Sequence, residues 1–116
     1  MRKNKLFLTL FVSLLMLSSA AWSDDAEDNY KNYCWQCHGM TGDGMGLNVQ
    51  DMSVQPRDHT SAKAMGGRSD ADLFKVIKEG GLAIDKSVLM PPWRDSLSDD
   101  EIHDLVKYLR KLCQCG

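Results

Sequence analysis

An all-α fold is predicted for this chain of 116 residues, and two observations carry the prediction. Apolar side chains recur at helical spacing in two stretches near 73–77 and 102–112, while no stretch alternates as a strand would. Each stretch also follows a serine with an acidic residue three positions on, Ser69 with Asp72 and Ser98 with Glu101. That is the pattern of a capping box, which marks a helix N-terminus. The length suits one domain at most.

Residues 1–23 read as an export signal. Arg2, Lys3 and Lys5 form a basic start, and Leu6 to Leu17 is apolar apart from Thr9 and Ser13. Ala21 and Ser23 then stand as the small residues of a cleavage site, although cleavage after Ala20 or Ala21 fits as well. The apolar run is short for a membrane span. The expected organisation is therefore a removed signal at 1–23 and one domain at 24–116, exported to the periplasm with no membrane span after cleavage.

The first helix is expected from about Asp25 to Gln36, with Tyr30 and Tyr33 on one face and Gly39 as its stop. Residues 39–68, rich in glycine, read as a long loop with a turn at Thr41-Gly42-Asp43-Gly44. Thirty irregular residues are unusual in a compact domain unless they wrap something. The second helix opens at the Ser69 box, presents Leu73, Phe74, Val76 and Ile77, and ends at Gly80-Gly81. A loop from Leu82 to Leu97 holds Met90-Pro91-Pro92-Trp93. The third helix opens at the Ser98 box and carries the stripe Ile102, Leu105, Val106, Leu109 and Leu112, with Lys107, Arg110 and Lys111 favouring its C-terminal dipole.

Loss of Arg2, Lys3 and Lys5 would leave 11 basic against 16 acidic residues, a formal charge of −5. Such a balance argues against nucleic acid or an anionic membrane as partner. It suits a protein that meets a basic docking patch. About 93 residues allow a modest core, which a buried cofactor would enlarge.

The chemistry is concentrated in Cys34-Trp35-Gln36-Cys37-His38, which reads C-x-x-C-H, the spacing of covalent c-type haem attachment. Residues three apart on a helical turn share a face, so both thiols can reach the vinyl groups along one porphyrin edge. His38 follows directly, placed to ligate iron. A sixth ligand would come from Met40, Met45, Met52, Met65 or Met90. Met40 and Met45 lie too close to His38 to wrap round the ring without strain, and nothing local fixes Met52 or Met65. Met90 is favoured, because Pro91-Pro92 restricts its backbone before any ligand is bound.

The order helix, CWQCHG, glycine loop, PRD, SDADLFKVIKEGG, MPPW, LSDDEIHDLVKYL resembles a small exported class I cytochrome c over residues 25–112. The resemblance implies the cytochrome c fold, about three to four helices and long loops wrapped round one covalently bound haem c. It implies thioethers from Cys34 and Cys37 and axial iron ligation by His38 and Met90. It also places the Pro56 carbonyl where it could accept from the other His38 nitrogen, and makes Arg57 and Trp93 candidates for the haem propionates. The implied function is one-electron transfer between redox protein partners, a donor and an acceptor met transiently by a monomer, with no catalysis of its own. The alternative is a five-coordinate haem that binds small ligands or reduces peroxide.

Other residues have competing readings. His59 is an alternative ligand in a loop, and His103 falls on the polar side of the third helix with Asp99 and Asp100. Cys113 and Cys115 have no counterpart in the family pattern; a disulfide, an intermolecular bridge, free thiols and half of a metal site all remain open. A C-x-x-C thiol oxidoreductase would be expected with strands, and a zinc site from Cys34, Cys37, His38 and the tail pair is supported by composition alone.

Overall fold

The computed structural model describes residues 25–116. The expected signal and its expected cleavage site fall outside these residues. Among the described residues there is no strand, and no helix is long and apolar enough to cross a membrane.

The expected first helix is broken. Helix α1 spans Asp25–Tyr33 and helix α2 spans Trp35–His38, with Cys34 between them at φ −113°. Gly39 ends α2 at φ +85°, where a side chain would also strike the Asp43 carboxylate. The long loop folds back through a 3₁₀ turn at Leu47–Asp51 that packs on α2. It then forms a short helix α3, Ala62–Met65, whose first turn is capped by the Ser61 side chain accepting from Ala64 N.

Helix α4 spans Asp70–Glu79 and helix α5 spans Asp99–Cys113, and both predicted capping boxes form. In each, the serine oxygen accepts from the N3 amide while the N3 carboxylate accepts from the serine amide. Such caps stabilise a helix by about 1 kcal/mol. A second 3₁₀ turn, Gly81–Ile84, packs against α4.

The core lies where α5 meets α1 and α4. Ile102, Leu105, Val106 and Leu109 are buried as the stripe predicts, with Leu112 half-buried at its end. They pack with Tyr30 from α1, Leu73 and Ile77 from α4, and Met65. Each such burial contributes about 1.5–3 kcal/mol before chain entropy is counted. Arg110 ties the end of α5 to the start of α4 and the segment before it, pairing with Asp70 at 2.8 Å and donating to the carbonyls of Met65 and Arg68. Cys113 and Cys115 form a disulfide, with Cys113 buried in the core and Arg110 beside Cys115.

Candidate functional site

One face of this core opens into a cavity of about 600 Å³, within the range of about 300–1,000 Å³ usual for cofactor sites. Cys34, Cys37 and His38 line it from α1–α2, Val76 and Ile77 from α4, and Leu105 and Leu109 from α5. The loops add Met52, Arg57, Met90 and Trp93. The long loop thus forms cavity wall, which accounts for its length.

The break at Cys34 keeps the motif compact. The amides of Cys37 and His38 both bond back to the Cys34 carbonyl, at 3.2 and 2.9 Å. Both thiols are unpaired and half-buried. Burial, reinforced by neighbouring Cys37, pushes the Cys34 thiol up to about 12. A reactive redox dithiol needs the opposite shift, so the thiol oxidoreductase reading loses support, and the absence of strands among the described residues removes its usual scaffold.

His38 Nδ1 lies 3.0 Å from the backbone oxygen of Arg57. A carbonyl can only accept, so Nδ1 carries the proton and Nε2 keeps its lone pair for a metal. Burial holds the imidazole below its ordinary pKa, which favours that neutral ligand form. The acceptor was expected to be Pro56. The bond falls one residue later, because the Pro56 carbonyl is turned against Gly44, where a side chain would approach it to 2.7 Å. Pro56 still lines the cavity.

The methionines are sorted by place. Met40 and Met45 are exposed, and Met65 is sealed in the core. Met52 and Met90 reach the cavity. Of these, Met90 is held by more than its prolines: its carbonyl accepts from Gly81 N at 2.9 Å, and its amide donates to the Ser87 carbonyl at 3.3 Å. Trp93 is anchored through its amide to the Ile77 carbonyl at 3.0 Å, and its ring leans on Tyr33 with centroids 5.3 Å apart. The Arg57 guanidinium donates through Nη1 to the Ala64 carbonyl and also faces the cavity.

His59 occupies an unexpected position. It is buried, and its ring stacks on His38 with centroids 4.0 Å apart and planes 18° from parallel. Ligands on opposite sides of one metal stand end to end, so a ring stacked on His38 is not its opposing ligand. Burial, then His38 and Arg57, hold His59 well below its ordinary pKa. His103 is exposed as expected, and its ring additionally stacks on Phe74 at 4.4 Å. Among the described residues no cluster of histidine, cysteine and carboxylate is arranged to hold a bare metal ion, which leaves the zinc reading without a site.

Two thiols, a neutral imidazole with a free nitrogen and a thioether, all on one mostly apolar cavity, fit a covalently bound haem. Fold and site together define a small c-type cytochrome. The chain belongs to the family described as cytochrome C oxidase, cbb3-type, subunit III, whose model matches residues 21–109. The bound group is accordingly one covalent haem c, and the protein is a haem electron carrier.

Among solved structures, the KustC0563 c-type cytochrome aligns with a TM-score of 0.61 and 24% identity, over 76% of this chain and 96% of that one. A chain of the Kuenenia stuttgartiensis reducing HAO-like protein complex Kustc0457/Kustc0458 aligns with a TM-score of 0.61 and 26% identity. That match covers 78% of this chain but 42% of the longer one. No curated protein matches the chain.

Proposed function

We propose that the protein is a periplasmic one-electron carrier with its haem iron between His38 Nε2 and Met90 Sδ. The observation that carries this reading is the pair of anchored side chains on one cavity. His38 has its outer nitrogen committed to Arg57 O, and Met90 has both backbone groups committed to Ser87 and Gly81. When bound, the haem supplies one reversible electron at iron, and a His/Met ligand pair raises its potential. The chain's own residues do the rest. Cys34 and Cys37 would tether the ring, Val76, Ile77, Leu105 and Leu109 would exclude water, and Arg57 and Trp93, which also line the cavity, are the candidates to meet the propionates. An iron held by both His38 and Met90 would offer no open position to a substrate, which supports transfer over turnover.

The export-like residues 1–23 support a periplasmic location. The acidic balance of residues 24–116 supports transient docking on a basic face of a donor and an acceptor. One structural neighbour belongs to a redox complex, which agrees with partnered use.

Met90→Ala tests the ligand assignment. Haem should stay covalently attached, the ferric Met-to-iron charge-transfer band should vanish, carbon monoxide should bind the ferrous form without a lag, and the potential should fall. An unchanged spectrum and potential would move the ligand to Met52, the other methionine at the cavity.

A further inference from the structure

His38 is held on two sides by a single short stretch, Arg57-Asp58-His59. Arg57 O accepts a hydrogen bond from its Nδ1, and the His59 ring covers its face at 4.0 Å. The stretch is itself rigid. The Asp58 carboxylate accepts from the amide of Thr60 at 2.8 Å and from its hydroxyl at 2.6 Å. The amide of His59 donates to the Gly42 carbonyl at 2.6 Å.

The His59 ring is fixed in turn. Its Nδ1 shares a hydrogen bond of 2.9 Å with the hydroxyl of Tyr30. Tyr30 is 1% exposed and packs on Tyr108 of α5, with centroids 5.3 Å apart. An imidazole buried merely to fill space is costly compared with a leucine, because each polar nitrogen must leave water. A buried histidine with a dedicated phenol partner, laid flat on another histidine, points to a positioning role.

An axial imidazole keeps one freedom once bound, rotation about the bond to iron. The orientation of its plane decides how its π system overlaps the iron d orbitals, and groups around a ligand histidine set that orientation. The Arg57 carbonyl restrains rotation with one directional bond. A ring packed on the face blocks it sterically.

We propose that Tyr30 and His59 form a clamp that fixes the plane of the His38 imidazole and so sets the electronic state and potential of the haem iron. This rests on the reading of His38 as an iron ligand. Both are positioning residues, acting through His38.

The test uses ferric holoprotein, NMR of the paramagnetically shifted haem methyls, and potentiometry. In the wild type, strongly shifted His38 ring protons establish ligation. If they lie in the ordinary range, the ligand reading fails before the clamp is tested. Given ligation, His59→Leu should change the order or spread of the four haem methyl shifts and shift the potential. His59→Phe, which restores a flat ring, should return both toward wild type. Tyr30→Phe removes one oxygen and should give a smaller change of the same kind.

Wild-type methyl shifts and potential in His59→Leu overturn the clamp, as does a change in His59→Phe as large as in His59→Leu. If His59→Leu yields no holoprotein, Tyr30→Phe decides, and a wild-type pattern there overturns it.

Discussion

Gly46 is a position at which the loop backbone presses on the Cys34–His38 turn. Its amide donates to the Cys37 carbonyl at 3.1 Å. A β-carbon there would lie 2.5 Å from the carbonyl carbon of Gln36 and 2.6 Å from that of Cys37, and nearer still to the Gln36 oxygen. Carbon atoms in contact settle at about 3.5–4.0 Å, so the two backbones must part by about 1 Å. Neither can swing away as a side chain would. Overpacking of this kind costs about 1–3 kcal/mol, and a weakened Gly46–Cys37 bond adds about 1 kcal/mol. Gly46→Ala should therefore lose about 2–4 kcal/mol. At about 4–8 °C per kcal/mol for a domain of this size, its holoprotein should melt roughly 10–30 °C below wild type in a far-ultraviolet dichroism scan. The control is Gly67→Ala, where the new methyl meets nothing within 4 Å and stability should move by no more than about 1 kcal/mol. If Gly46→Ala melts with the wild type, the loop does not press on the motif as described and the reasoning fails.

Two further expectations concern α5 and the tail. The Ser98 amide and hydroxyl both donate to Glu101 and hold its carboxyl below the usual range. A depressed folded pKa means stability present above the unfolded value and lost as pH falls through the folded one. Wild type should therefore melt above Glu101→Gln at pH 7, and the gap should close on acidification through the carboxylate range; a gap that does not change with pH contradicts the cap. With Cys113 and Cys115 bridged, and with Cys34 and Cys37 in thioethers as proposed, denatured holoprotein should show no reactive thiol before reduction and two after it. Cys115→Ala should cost about 1–2 kcal/mol by loop-closure entropy, measured by urea denaturation; free thiols in unreduced protein would refute the bridge.

The sequence showed clearly those features that depend on neighbours along the chain. The Ser69 and Ser98 boxes and the α5 stripe are local patterns, and each forms where it was expected. The Cys34 break was not legible, since no glycine or proline marks it. The short helix at Ala62–Met65 left one signal, Ser61 as an N-cap, inside a stretch whose glycines dominated the reading. Met90 stood out because two prolines follow it, yet its hold on Gly81 depends on a turn that sequence spacing does not reveal. The acceptor for His38 was displaced from Pro56 to Arg57 by how the loop turns past Gly44. The stacking of His59 on His38 leaves no mark in the sequence. The ring's partner Tyr30 is 29 residues away, and no periodicity links a residue in a loop to one in a helix. The disulfide resolves the open reading of the tail.

Helices α1 and α5 stand at opposite ends of the described segment, yet they pack on each other, with Tyr30 against Tyr108. Chain ends usually fray, and their amides exchange with solvent through small local openings. Here neither helix can detach without uncovering Tyr30, Ile102 and Leu105, all at most 1% exposed. Opening either helix thus exposes the centre of the domain. The slowest-exchanging amides should include those of α1 and α5, with protection approaching the global unfolding free energy. In the order of assembly, the closure that joins these most distant parts of the described segment carries the largest loop-closure cost and should set the folding rate.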